Sequence, residues 1–146
     1  RARVYCASVR PAVLYTAETW ALTERLEEKL TSCNHRMLRY MSKVRWWDRI
    51  TNEEIRRTCE VENLEHRLRK MRLKKFGHVK HSDENSILRR AMELEVKGRR
   101  PVGRPKKTWS KVVEEDMRKL NITEDMAEDR KQWRQLISRP TPGVGN

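Results

Sequence analysis

Four residues that can bind a metal ion, Cys59, His66, His78 and His81, lie within 23 positions of the chain. The two residues of the pair His78-x-x-His81 could share one edge of a helix. Structural zinc sites use closely spaced pairs of ligands, and these spacings match none of their common patterns. A histidine among arginines, as His66 is, is also ordinary on a protein surface. The sequence therefore predicts no metal site.

Clustered carboxylates could support polymerase or hydrolase chemistry, which needs acidic side chains held together around metal ions. The acidic clusters are Glu27-Glu28, Glu53-Glu54 and Glu114-Glu115-Asp116, and we expect them on exposed helix faces. The sequence contains no Gly-rich phosphate loop, nucleophile elbow or Asp-Asp pair. It therefore predicts a chain without catalytic residues and without a cofactor of its own.

Positive charge dominates the chain and is unevenly distributed. The formal net charge is +13, of which residues 1–60 contribute +4, residues 61–107 contribute +9 and residues 108–146 contribute zero. A concentrated basic block is typical of a protein that binds a polyanion. The alternative is a lysine- and arginine-rich surface that only keeps the protein soluble.

Cysteine usage and hydropathy suggest where the protein works. Cys6, Cys33 and Cys59 are odd in number and far apart, as in a reduced intracellular protein with free thiols. No apolar run reaches the length needed to cross a bilayer, so we expect no membrane partner. The basic charge then favours a nuclear location. Residues 2–16 are apolar enough to pack against an upstream domain, which suggests a piece of a longer protein.

Helical periodicity recurs along the chain and strand signals are nearly absent, so we predict an all-α fold. The expected architecture is a small bundle of about five to six short amphipathic helices with a basic Gly/Pro linker and a disordered C-terminal tail. Predicted helix caps are Thr23, Thr51, Asn63, Ser82 or Asp83, Thr108 and Thr123. Thr51 and Glu54 form a capping box in this prediction.

Apolar stripes mark the predicted helices. The expected core residues are Leu26, Leu30, Cys33, Met37, Leu38 and Met41; Leu64, Leu68, Met71 and Val79; Ile87, Leu88, Ala91 and Met92; Trp109, Val112, Val113, Met117 and Leu120; and Met126, Trp133, Leu136 and Ile137.

Two basic segments are the candidate nucleic-acid-binding sites. Cations on a helix can lie along a phosphate backbone and give affinity without sequence choice. A Gly- and Pro-rich basic arm can follow a groove or a single strand. The candidate residues are Arg67, Arg69, Lys70, Arg72, Lys74 and Lys75 on the helix, and Arg99, Arg100, Arg104, Lys106 and Lys107 on the arm.

The arm also contains Gly103-Arg104-Pro105, which resembles the core of an AT-hook, although Val102 stands where a hook carries arginine. An AT-hook inserts arginine into the narrow minor groove of A·T-rich DNA. An architectural DNA-binding protein is therefore one alternative function, and a helical protein-interaction module is another.

Trp46 and Trp47, flanked by Arg45 and Arg49, could stack on unpaired bases. Tryptophans beside a capping box more often fill a small core, so we expect at least one of the pair to be buried.

Four segments together carry a family resemblance. They are LYTAETWALT (14–23), NHRMLRYMSKVRWWDRITNEEI (34–55), RLRKMRLKKFGHVKH (67–81) and GRRPVGRPKKTW (98–109). In this order they resemble the region after the polymerase core in LINE-type (non-LTR) retrotransposon reverse transcriptases, also described as endonuclease-reverse transcriptases. The resemblance covers about residues 5–120. Thr16 departs from it, since the family usually has glycine there, and Lys80-His81 replaces a more usual arginine-methionine.

The sequence pattern and the resemblance together divide the chain. The resemblance implies that residues 1–22 end the thumb region of the reverse transcriptase. The residue pattern predicts a basic helical segment at 23–97, a basic linker at 98–108, a C-terminal helical hairpin at 109–138 and a disordered tail at 139–146. The implied function is a non-catalytic segment of an RNA-directed DNA polymerase that contacts template RNA or target DNA. Its implied partners are RNA and DNA. An upstream reverse transcriptase domain is a further implied partner, because the paired aspartates of that enzyme are not in this chain.

Overall fold

A computed structural model describes residues 2–94, 98, 102–103 and 106–139 of the chain. All regular structure in these residues is helical, and none of them lies in a β-strand. The all-α prediction is confirmed. The chain forms two compact units, 1–68 and 69–146, and the division falls inside one helix. The linker predicted at 98–108 is therefore not where the two units divide.

The helices are short, with two exceptions. In the order of the chain they are α1 (Ala2–Val4), a π-helical turn (Tyr5–Val9), α2 (Arg10–Val13), α3 (Glu24–Met41), α4 (Asn52–Thr58), α5 (Leu64–Lys80), α6 (Ile87–Glu93), α7 (Trp109–Leu120) and α8 (Arg130–Leu136). Three 3₁₀ turns lie between them, at Ala17–Thr19, Trp46–Asp48 and Glu124–Ala127.

Side-chain caps fix the starts of several helices where the sequence predicts them. The Thr51 backbone N–H donates to Glu54 Oε2 over 2.9 Å, and the Glu54 N–H donates to Thr51 Oγ1 over 3.2 Å. This reciprocal pair is the predicted capping box of α4. Asn63 Oδ1 accepts from the Glu65 N–H at the start of α5, and Thr108 Oγ1 accepts from the Lys111 N–H at the start of α7.

Two predicted helix starts are wrong, and in each case a residue further along the chain caps the α-helix. Helix α6 begins after Ser86, whose hydroxyl accepts from the Leu88 N–H, whereas Ser82 donates to the Val79 carbonyl and closes α5. The last helix does not run on from Thr123. A 3₁₀ turn follows that residue, and α8 starts only after Asp129. Asp129 Oδ1 accepts from the backbone N–H groups of Lys131 and Gln132, over 2.8 and 3.2 Å.

The core of the first unit differs from the predicted stripe of α3. Leu38 is fully buried, but Leu26 and Cys33 are exposed, and Asn34 is buried instead. Asn34 accepts a hydrogen bond from the Tyr5 hydroxyl, and burial raises the pKa of that phenol. The core residues are Tyr5, Leu38, Ile55 and Val61, with Cys6, Met37, Met41, Val44 and Cys59 packed against them.

The N-terminal residues thus bury part of their apolar surface inside this unit. Tyr5, Leu14 and Ala17 are buried, while Val4 and Val13 are exposed. Tyr5 and Leu14 of the segment 2–16 are thus buried within this unit. The expectation that this segment also packs against an upstream domain stays a prediction. Thr16 has a φ of 57°, a left-handed conformation that favours glycine and is strained for a β-branched residue.

His35 of α3 is partly buried and contacts Arg56 of α4. Its ring Nε2 lies 3.1 Å from Arg56 Nη1. A guanidinium can only donate, so Nε2 accepts and the ring carries its proton on Nδ1. Burial, followed by the positive charges of Arg56 and Arg39, lowers the pKa of His35 below its ordinary value of 6.5.

We expect this histidine to make stability fall on acidification. The contribution of neutral His35 to the free energy of unfolding is complete above pH 6.5, the ordinary pKa of histidine. It is lost as the pH falls towards the lowered pKa of the folded state. For one proton the slope is at most about 1.4 kcal/mol per pH unit. Urea denaturation across this window measures it, and His35→Gln, whose amide oxygen can still accept from Arg56, should remove the component. An unchanged pH profile in the variant would contradict the assignment.

The core of the second unit joins α5, α7 and α8. Its buried residues are Leu73, Phe76, Val113, Met117, Leu120, Ile122, Ala127, Trp133, Leu136 and Ile137. Trp133 donates from Nε1 to the Leu73 carbonyl over 3.0 Å and packs against Phe76 with 6.1 Å between ring centroids. Trp133 is fully buried and Trp109 is half-buried against the same core, so both are packing residues as predicted.

Candidate nucleic-acid interface

The segment that joins α3 to α4, residues 42–50, is called here the tryptophan loop. Helix α3 ends in a Schellman motif, in which the Lys43 N–H donates to the Tyr40 carbonyl and the Val44 N–H donates to the Arg39 carbonyl. Lys43 takes the left-handed position of that motif with a φ of 57°. Val44 then packs against the core of the first unit and anchors the start of the loop.

The rest of the loop is fixed by hydrogen bonds to its backbone. The Arg45 N–H donates to Asp48 Oδ2 over 2.6 Å, which closes a 3₁₀ turn that carries both tryptophans. Arg39 Nη2 donates to the Ile50 carbonyl over 2.7 Å and to Asn52 Oδ1 over 3.0 Å. The two ends of the loop are therefore tied to α3 and to the start of α4 without using either indole ring.

Both tryptophans consequently lie on the surface. Trp46 is 83% exposed and Trp47 is 57% exposed, so the expectation that one of them fills the core is wrong. Their rings meet edge to face with 5.5 Å between centroids, and the Arg45 guanidinium lies 5.5 Å from the centre of the Trp47 ring. Tyr40, at the end of α3, is 85% exposed. Exposed aromatic rings of this size next to cations are unusual on a protein surface, which makes this loop the candidate site.

A pocket of about 730 Å³ lies along the first half of the loop. It is lined by Arg39, Tyr40, Met41, Lys43, Val44 and Arg45. Arg39 is engaged with the loop, while Lys43 and Arg45 bring positive charge to the wall. The pocket and the tryptophans together combine cations with exposed aromatic rings.

Two of the helix residues predicted to bind phosphates are buried. Arg72 is 2% exposed and Arg69 is 6% exposed. Arg72 Nε lies 2.6 Å from Asp116 Oδ2, and Nη2 lies 3.1 Å from Oδ1. Position 72 is four residues from both Leu68 and Phe76, so it shares their buried face. The expectation that these two arginines face solvent is wrong.

The other predicted helix residues keep surface. Lys74 is exposed, while Arg67, Lys70 and Lys75 are partly exposed. Arg67 lies in the first unit, where its Nη1 is 3.5 Å from Glu62 Oε2. The structure therefore does not gather the six helix residues into one phosphate-binding row.

The arm is described only in part. Arg99, Arg100 and Arg104 lie outside the described residues, and Lys106 is exposed. Lys107 Nζ lies 2.6 Å from Glu115 Oε2. This hydrogen bond lowers the pKa of the Glu115 carboxyl, and it ties the end of the arm to α7.

Comparison of the chain with family models, with curated proteins and with solved structures finds no match. Within the described ranges, no helix is long and apolar enough to cross a membrane. The same residues contain no group of three or more histidine, cysteine or acidic side chains placed to hold a metal ion.

Proposed function

We propose that this chain is a non-catalytic nucleic-acid-binding segment that holds single-stranded or unpaired nucleotides on the tryptophan loop. Bases would stack on Trp46 and Trp47, and phosphates would pair with Lys43, Arg45 and Arg49. Stacking is tolerant of sequence because every base offers a flat aromatic face. The net charge of +13 would add affinity that does not depend on sequence.

The exposure of the adjacent tryptophans is the observation that supports this function most strongly. Burial of an indole is strongly favourable, and monomeric proteins seldom leave large aromatic patches in water without a use. Here the backbone bonds of the loop hold the rings outside the core. The cations beside them favour a polyanion over an apolar partner.

The four sequence segments suggest the context in which the segment works. We propose that it is the C-terminal part of a LINE-type retrotransposon reverse transcriptase, acting in the nucleus with an upstream polymerase domain on template RNA or target DNA. In this proposal it is a small helical bundle whose Gly/Pro linker, with Arg99, Arg100 and Arg104, adds phosphate contacts.

Binding of fluorescein-labelled oligonucleotides of about 12 nucleotides to the full chain tests this function. We expect single-stranded RNA or DNA to bind more tightly than duplex of the same sequence. The double variant Trp46→Ala/Trp47→Ala should weaken single-strand binding at least about tenfold, since each stacked base contributes about 1–3 kcal/mol. Equal affinity of variant and wild type would exclude the loop as the binding surface.

Matched variants separate stacking and charge from general effects. Tyr15→Ala removes another exposed aromatic ring of the first unit and should leave affinity unchanged. Lys43→Gln/Arg45→Gln should reduce the slope of the logarithm of the binding constant against the logarithm of salt concentration by about 1.4. Arg25→Gln/Lys29→Gln removes the same charge from α3 and should leave that slope unchanged. An A·T-duplex preference lost in Arg104→Ala would favour the AT-hook alternative. A chain that binds no nucleic acid at low salt would favour the protein-interaction alternative.

A further inference from the structure

A second cationic pocket lies within the second unit, between the C-terminal half of α5 and helix α8. Its volume is about 290 Å³. Its lining residues are Lys74, Gly77, His78, His81, Arg130, Trp133, Arg134 and Ile137. The tryptophan loop belongs to the other unit, so this pocket is a separate feature.

Positive charge converges on the pocket from both helices. Lys74 comes from α5, and Arg130 and Arg134 lie one helical turn apart on α8, which places them on one face. Among the described residues, none of these three cations is paired with a carboxylate. In the part of the chain that the structure describes, no acidic residue lines the pocket. Three exposed cations around one open pocket, without a carboxylate partner in the described ranges, favour an anion of more than one charge.

The lining of the pocket also includes two histidines, His78 and His81. His81 is half-buried, and its Nε2 is closed off from solvent and has no hydrogen-bond partner among the described residues. His78, exposed on the preceding turn of α5, adds a second ring nitrogen at the rim.

The wall of the pocket is rigid. The Trp133 indole is held by its hydrogen bond to the Leu73 carbonyl and by contact with Phe76, so its nitrogen is already engaged. Gly77 allows the ring to lie directly against α5, because any Cβ at that position would be 2.5 Å from Trp133 Nε1. The ring therefore offers the pocket an apolar wall and not a donor, and the charged contacts must come from Lys74, Arg130 and Arg134.

We infer that this pocket binds a phosphate monoester. A monoester carries up to two negative charges and several acceptor oxygens, which arginine, lysine and histidine donors match. The volume lies just below the range for drug-sized ligands, which suits a phosphate with part of its attached sugar. The ligand is either the 5′-phosphate end of a nucleic acid, which rests on the proposed function, or a free mononucleotide or phosphate.

The test compares 5′-phosphorylated and 5′-hydroxyl forms of one single-stranded oligonucleotide on the full chain. We expect the phosphorylated form to bind about tenfold more tightly, the effect of one or two charged hydrogen bonds. Arg130→Gln/Arg134→Gln should abolish this preference, and Lys74→Gln should reduce it. Arg118→Gln/Lys119→Gln removes the same charge from an exposed turn of α7 and should retain the preference.

Titration with inorganic phosphate and with adenosine monophosphate distinguishes a site for a free phosphate or mononucleotide from a site for the 5′-phosphate end of a nucleic acid. If they shift the Trp133 indole resonance but the oligonucleotides are not distinguished, the pocket is supported as a site for free phosphate. If no probe shifts that resonance and the oligonucleotides bind equally, the inference is overturned. Trp46→Ala/Trp47→Ala should weaken both oligonucleotides equally and preserve their ratio. Phosphate binding without any oligonucleotide binding would overturn the proposed function alone.

Discussion

Replacing Asp116 by alanine is expected to destabilise the protein by about 3–5 kcal/mol, the usual effect of leaving one partner of a buried ion pair without the other. Arg72 and Asp116 are 2% and 3% exposed, and two hydrogen bonds join the guanidinium to the carboxylate. Without Asp116 the Arg72 guanidinium would lose its buried counter-charge. Urea denaturation followed by far-UV circular dichroism measures the loss.

Two further variants make this prediction specific. Glu115→Ala breaks the neighbouring ion pair to Lys107, which is partly solvated, and should cost less than about 1 kcal/mol. The double variant Arg72→Met/Asp116→Leu removes both charges and should recover most of the lost stability. If Asp116→Ala costs no more than Glu115→Ala, the pair is not buried as described.

Introducing a methyl group at Gly77 has the second large effect, because α5 and Trp133 touch at this residue. In an exposed helix, replacing glycine by alanine stabilises by about 1 kcal/mol. Here the new Cβ would lie 2.5 Å from Trp133 Nε1 and 2.8 Å from Cδ1. We expect Gly77→Ala to cost about 1–3 kcal/mol instead, and Gly77→Val to cost more. Thermal or urea denaturation shows directly whether Gly77→Ala stabilises or destabilises the protein.

A partner variant tests whether the clash is with Trp133. Trp133→Leu alone should destabilise, since it removes the hydrogen bond to the Leu73 carbonyl and leaves a cavity. Combined with Gly77→Ala, it should cost less than the sum of the two single effects, because the methyl group then has space. Strictly additive effects, or a stabilising Gly77→Ala, would contradict this close packing.

Local signals in the sequence were sufficient to predict much of the fold. Thr51 and Glu54 have the spacing of a capping box, and Thr108 precedes an apolar stripe, so the starts of α4 and α7 follow from backbone hydrogen bonding alone. The start of α8 was missed because Thr123 and Asp129 both have cap-forming side chains. Only tertiary packing decides which of them begins an α-helix.

The candidate sites were harder to predict. Arg72 reads as a surface cation unless Asp116, 44 positions away, is known to meet it. A signal was present, since Asp116 lies between Val113 and Met117 on the buried stripe of α7. The arginines of α8 lie in the block of zero net charge, so charge counting passed over them. The exposure of Trp46 depends on hydrogen bonds within its loop, which composition does not reveal.

The most direct test of the central claim follows the five tryptophan indole N–H resonances in a ¹H–¹⁵N correlation spectrum. A 5′-hydroxyl single-stranded oligonucleotide is titrated into the full chain, with resonances assigned by single Trp→Phe variants. We predict that the Trp46 and Trp47 signals shift with saturating dependence on the oligonucleotide, while those of Trp20, Trp109 and Trp133 stay in place. Binding that leaves the Trp46 and Trp47 signals unmoved would contradict the claim that this loop holds nucleic acid.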